Sequence, residues 1–196
     1  MRKAVGLLVV LALGLIIFGC NSKGGNQSQA GVDKELALKF LQGIQNGDKK
    51  IMYAATNLTT DIVNDSREKL IHPAQYKQTE LQRRESEHAL RISGEIDFFL
   101  AKTRPMFPKS ASFHIKETTA KDPTGGGRHS VHLVKITYAN KAEAMRDKTG
   151  KPVKEMVVRL QQLTRSVSGR SINEFSFESK DFEKIADRDF EVLSYF

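Results

Sequence analysis

The chain of 196 residues contains one cysteine and no tryptophan. A lone cysteine excludes a disulfide framework and any metal site built from several thiolates of one chain. There is no Gly-x-Ser-x-Gly turn to present a serine nucleophile. Gly125-Gly126-Gly127 lacks the Lys-Ser/Thr ending that would complete a phosphate-binding loop, so it reads as a hairpin loop. No internal repeat appears, and no cofactor motif. What is present is enough for one ordinary folded unit: 28% charged and 39% hydrophobic residues do not fit wholesale disorder. A chain of this length can bury roughly 70% of its unfolded surface.

The first twenty residues have a separate character. Met1-Arg2-Lys3 is basic, Ala4 to Phe18 has no polar side chain, and Gly19-Cys20 then opens a polar run. That is the physical design of an export signal. A helix of fifteen residues rises about 22 Å, short of the ~30 Å hydrocarbon layer, so it is marginal as a permanent span. Ile17-Phe18-Gly19-Cys20 resembles the lipobox of bacterial lipoproteins, although Phe18 stands where a small residue is typical. The resemblance implies cleavage between Gly19 and Cys20 and lipidation of Cys20 by fatty chains of the palmitate kind. Several chains meet the requirement of more than one acyl group for stable anchoring. In a bacterium with two membranes, Asn21 does not match the inner-membrane retention signal, Asp at that place, so outer-membrane delivery is the expectation there, and the cell membrane otherwise.

Residues 1–19 are thus expected to be a signal peptide and residues 20–31 a tether. Asn21 to Gly31 carries no large apolar side chain and cannot offset its own ordering entropy. As a coil it spans ~15–20 Å. Residues 32–196 are expected to form a single α+β domain.

Its first half has helical spacing. Val32, Leu36, Phe40, Leu41 and Ile44 form one stripe, closed by Asn46-Gly47, and Asp48 is placed to cap a second helix with Ile51, Ala55 and Leu58 on one face. Ile62, Val63, Ser66 and Leu70 carry a third pattern up to His72-Pro73. Residues 74–92 read as a solvated helix with Leu81, His88 and Ile92 on a thin inner stripe, and Ile96, Phe99 and Leu100 as a further short turn after Gly94, stopping before Pro105. The second half changes period. Phe113 and Ile115 alternate with polar neighbours, Val131 to Tyr138 reads as a central strand, and Asp147-Lys148-Thr149-Gly150 as a turn. Met156, Val158 and Leu160 share one strand face, and Ile172–Phe177 and Phe190–Phe196 are further strands. The expectation is α+β: N-terminal helices packed on a curved C-terminal antiparallel sheet of four or five strands.

The paired helices around Gly47-Asp48, followed by a long meander, resemble the nuclear transport factor 2-like (cystatin-like) superfamily. The resemblance implies a sheet curved around the helices and a conical pocket.

Charge is uneven. Bases outnumber acids by 31 to 23, a net charge of +8, and removing Arg2 and Lys3 leaves +6. Residues 141–170 hold Lys141, Arg146, Lys148, Lys151, Lys154, Arg159, Arg165 and Arg170 against Glu143, Asp147 and Glu155, whereas residues 171–196 are acidic. The basic segment is expected to meet anionic headgroups or envelope polymers, or simply to be solvated and paired with the acidic tail across strands. Nucleic acid is not an expected partner, since no binding motif is present and export removes the opportunity.

Five histidines, His72, His88, His114, His129 and His132, are candidates for chemistry. Folding the hairpin about Pro123 brings His114 beside His132, but no third ligand completes a metal site, and exposed strand histidines are the simpler expectation. Asp61, Asp65 and His72 are candidates for an acid–base pair in a pocket. The reading that results is an anchored envelope lipoprotein whose domain binds a ligand or protein partner without catalysis. A small-molecule acid–base enzyme and a purely structural envelope component are the alternatives.

Overall fold

Each break between the first helices coincides with a residue suited to a helix end. The computed structural model describes residues 29–121, 127–167 and 169–178. Helix α1 (Gln29–Asn46) closes on Gly47 at φ +69°, with Gly47 N–H donating to Ile44 O and Asp48 N–H to Gly43 O, the paired bonds of a Schellman end. Asp48 then accepts from the amides of Lys50 (2.9 Å) and Ile51 (3.3 Å) and starts α2 (Lys49–Thr56). Asn57, at φ 62°, closes α2, and its side chain donates to Ser171 O at 2.8 Å. Thr59 caps α3 (Thr60–Ile71). Thr79 and Gln82 form a reciprocal capping box at the start of α4 (Glu80–Thr103). The first helix begins three residues ahead of Val32, so Gln29, Ala30 and Gly31 belong to it.

Helix α4 is one element, where two were expected. Gly94 sits on its exposed side, where a Cβ would touch nothing, so its cost is the ~1 kcal/mol of a helical glycine. The buried stripe of Ser86, Ala89, Ile92, Ser93, Ile96, Phe99 and Thr103 outweighs that cost. Leu81 is 58% exposed and takes no part in the stripe. Small residues at 86, 89 and 93 let the helices approach closely, and Tyr53 Oη lies 2.7 Å from Ser93 Oγ across that seam. In α2 the buried side belongs to Met52, Tyr53, Ala55 and Thr56, with Ile51 only half-buried. Pro105 falls in a short 3-10 turn, Arg104–Met106.

Four strands follow in sequence order as an antiparallel meander: β1 (Ala111–Lys121), β2 (Gly127–Tyr138), β3 (Glu155–Val167) and β4 (Arg170–Phe177). The fold class is therefore α+β, with the helices N-terminal. The expected strand Phe190–Phe196 lies outside the described residues. A bulge between Ile115 and Glu117 restores Thr118 to the inner side of β1. The inner face is apolar in one half, with Val134, Ile136, Met156, Val158, Leu160, Phe175 and Phe177 beneath the helices. Phe40 stacks on Phe175 at 4.2 Å and meets Phe99 edge-on at 5.4 Å.

Helix α1 runs antiparallel to β1, which gives the domain two distinct poles. Near its start, Asp33 bonds to Ser130 at the beginning of β2. Near its end, Gln45 Nε2 donates to Pro108 O (3.0 Å) and Ala111 O (2.9 Å), at the start of β1. The pole where the chain enters α1 also carries Gly127 and the β3–β4 turn. The opposite pole carries the β2–β3 connection, residues 139–154.

Candidate functional site

The other half of the inner sheet face is polar. Ser130 and His132 continue the inward parity of Val134 and Ile136 on β2; Gln162 and Thr164 continue that of Val158 and Leu160 on β3; Asn173 precedes Phe175 and Phe177 on β4. Asp33, Ser130, His132, Gln162 and Asn173 are each at most 1% exposed. Buried polar groups must find partners or cost free energy, and these do.

The partners form one connected set. Arg128 grips Asp33 with two nitrogens, Nε lying 3.0 Å from Oδ2 and Nη2 facing Oδ1. Ser130 Oγ donates to Asp33 Oδ2 at 2.6 Å, and Gln29 Nε2 to Oδ1 at 3.5 Å. Burial pushes the Asp33 carboxyl up, but the bonds from Arg128 and Ser130 outweigh it and hold the group below its ordinary value. Arg128 Nη2 also reaches Thr164 Oγ1 (3.3 Å), whose hydroxyl donates to Asn173 Oδ1 (2.8 Å). Asn173 Nδ2 donates to Ala55 O at 3.1 Å and so ties the sheet to α2.

Donor and acceptor roles through His132 follow from its neighbours. Gln162 Nε2 donates to Asn173 Oδ1 at 3.2 Å, which turns the Gln162 carbonyl oxygen toward His132 Nε2, 3.0 Å away. His132 Nε2 therefore carries the proton, and Nδ1 accepts from the Thr118 hydroxyl at 3.0 Å. Burial lowers the His132 pKa, so at neutral pH the ring is uncharged. The result is a relay of fixed dipoles from Thr118 through His132, Gln162 and Asn173 to the α2 backbone.

The expected pairing of His114 with His132 does not form. His132 opposes Thr118 and His114 opposes Lys135, because the hairpin closes further along than Pro123 and the bulge at Lys116 shifts the register. His114 is exposed on the outer face, while His132 is fully buried, contrary to the expectation of exposed strand histidines. Among the described residues no cluster of three or more His, Cys, Asp or Glu side chains is placed to hold a metal ion. Asp61, Asp65 and His72 are all solvent-exposed along α3. Asp65 pairs with Lys69 at 2.5 Å, and His72 Nε2 lies 3.8 Å from Glu68. Of the three, Asp65 borders a cavity of about 210 Å³ between α3, α4 and β4, lined also by its partner Lys69 and by Glu85 and Arg170.

His88 belongs to a second polar cluster, which fastens α4 to the edge of the sheet. Arg91 Nη2 donates to Glu174 Oε1 (2.9 Å) and to His88 Nδ1 (3.1 Å), and it also pairs with Glu95. His88 Nε2 lies 3.3 Å from Glu174 Oε1, and burial and Arg91 together lower the His88 pKa. Glu95 is pushed up, chiefly by burial.

The basic segment 141–170 is continuous in sequence but divided in space. Lys141, Arg146, Lys148, Lys151 and Lys154 are exposed at the pole of the β2–β3 connection, while Arg165 and Arg170 are exposed at the other, where the chain enters α1. Arg165 lies 3.8 Å from Glu174, so the expected pairing of basic and acidic segments across β3 and β4 occurs there. The acidic residues beyond Glu178, and Cys20 with its signal and tether, lie outside the described residues. Among the described residues no helix is long and apolar enough to cross a membrane.

Sequence reading passed over Asp33, Arg128, Ser130, Gln162, Thr164 and Asn173. The available signal was polar residues at the inward parity of β2 and β3. No family model, curated protein or solved structure matches this chain.

Proposed function

We propose that this chain is a lipid-anchored protein of the bacterial cell envelope whose α+β body binds a partner and performs no chemistry of its own. The anchoring part of this reading is supported by the basic start, the apolar run Ala4–Phe18 and the cysteine directly after Gly19. Asn21 favours delivery to the outer membrane where the host has one, and the cell membrane otherwise.

The binding part is supported above all by one observation: the two fully buried titratable groups of the polar layer, Asp33 and His132, are each hydrogen-bonded to neighbouring side chains. Asp33 receives Arg128 and Ser130, and both nitrogens of His132 have partners. A general base needs a free lone pair facing its substrate, and a general acid needs a proton it can release. Here each is held in a fixed state by burial and by its neighbours, a design that specifies packing and leaves recognition to the surface.

The anchor is tested by growing cells with a labelled palmitate analogue. The wild-type chain should take up label and fractionate with membranes, and Cys20→Ala should be unlabelled and accumulate as precursor. An Ala variant that is processed and membrane-held like wild type would overturn the reading.

A further inference from the structure

Among the described residues, the pole of the β2–β3 connection carries more positive than negative charge. Lys141, Arg146, Lys148, Lys151 and Lys154 are exposed there, and Arg104 and Lys109 border an adjoining open groove of about 760 Å³. The groove floor is apolar, formed by Leu100, Pro105, Phe107 and Pro108. The acids described at this pole, Glu143, Asp147 and Glu155, are outnumbered by these bases. Asp147 accepts from the amides of Thr149 (2.8 Å) and Lys151 (3.0 Å) within its own turn. Glu155 pairs with Lys135 at 2.6 Å, and Glu143 accepts from Ser110. Arg146 donates to Gly150 O, a neutral acceptor that leaves its charge uncompensated.

We infer that this pole binds a soluble envelope polyanion bearing phosphate or carboxylate groups, held off the anchoring bilayer. The orientation rests on the lipid anchor proposed above; the binding does not. The choice of polymer over membrane follows from the two poles. Helix α1, which begins at Gln29, separates the two poles over eighteen residues, about 27 Å at ~1.5 Å each. Attraction between exposed charges fades beyond a Debye length of ~8 Å at physiological salt. With α1 directed away from the bilayer, the basic pole stands several such lengths from the headgroups. The exposed cations closer to them include Lys34, Arg165 and Arg170. A flexible polymer with regularly spaced anions can meet dispersed lysines that no single small anion could bridge, and it can lay part of its length in the groove.

The test uses the full chain, purified as cells make it and reconstituted in phosphatidylcholine vesicles. Polyphosphate and poly-glutamate are the phosphate and carboxylate probes. Wild type should retain at least one of them at low salt and lose it as salt rises. Lys148→Gln/Lys151→Gln/Lys154→Gln should weaken that binding about tenfold, and Arg165→Gln/Arg170→Gln should change it less than twofold. Equal losses in the two variants would mean that net charge alone is read, and would overturn the assignment, as would no binding of either polymer. A parallel arm uses soluble protein with vesicles of equal phosphatidylglycerol and phosphatidylcholine. If the lysine variant loses vesicle adsorption while polymer binding stands unchanged, the pole reads membrane and the proposal falls. Absence of acyl label on a chain that still binds polymer at this pole would remove the anchor and leave the binding site standing.

Discussion

Asp33 and Arg128, 95 residues apart in the chain, meet in a two-pronged ion pair with Nε 3.0 Å from Oδ2, joining the first helix to the start of β2. Asp33 is almost wholly buried, and the Arg128 side chain is 34% exposed. Breaking a buried pair costs ~3–5 kcal/mol, and the partial exposure of Arg128 brings the expected loss for Asp33→Asn to about 2–3 kcal/mol. The pH dependence has a definite sign. Because the folded carboxyl lies below its ordinary 3.8, its contribution is complete above that pH and is lost as pH falls from there through the folded value. Urea midpoints of wild type and Asp33→Asn should therefore converge below about pH 4. Parallel curves down to pH 2 would contradict the pair's role.

His132 acts in a milder range. Its folded pKa lies below the ordinary 6.5, so stability is full above that value and declines as pH falls toward the folded pKa. Lowered in the same direction, His88 adds to this slope. Each group contributes up to about 1.4 kcal/mol per pH unit within its window. Chemical denaturation between pH 7.5 and pH 5 should show the decline, and His132→Gln should flatten it while lowering stability throughout. An unchanged slope in that variant would place the acid sensitivity elsewhere.

The seam between α2 and α4 depends on Tyr53 and Ser93. Ser93→Ala strands a buried tyrosine hydroxyl and should cost about 1–2 kcal/mol. Tyr53→Phe together with Ser93→Ala should cost clearly less than the two single changes summed. Thermal or urea unfolding of the four proteins gives the coupling; strict additivity would remove the hydrogen bond from the account.

Helices α1 and α2 meet at Gly43, where an added Cβ would lie 2.4 Å from Met52 Cγ and 3.1 Å from the Met52 backbone nitrogen. Gly43→Ala should destabilise by about 1–3 kcal/mol through overpacking, despite the better helix propensity of alanine. A gain in stability would show that this contact yields freely.

Much of the fold could be read from short-range chemistry. Gly47-Asp48 announced a helix end and a cap, and the alternation of Met156, Val158 and Leu160 announced a strand face, because each signal lies within a few residues of its effect. What failed involved distance or packing. The partner strand residue of His114 depends on where the hairpin closes and on a bulge at Lys116, neither of which period-two patterning encodes. Helix α4 looked interrupted because Gly94 reads as a break and residues 74–92 as a solvated helix, although Ser86 and Ser93 are buried against neighbouring elements. The polar layer was hidden for the same reason: Asp33 is an ordinary helix surface residue until the arginine on β2 is folded against it. The basic segment read as one patch because its bases continue through β3, which carries its two ends to opposite poles.

The most direct test of the account concerns the amino end of the mature protein. Mass spectrometry of the chain isolated from its native membranes should find Cys20 as the first residue, carrying covalently bound acyl chains. A protein that still begins at Met1, or one that begins at Cys20 with a bare thiol, would contradict it.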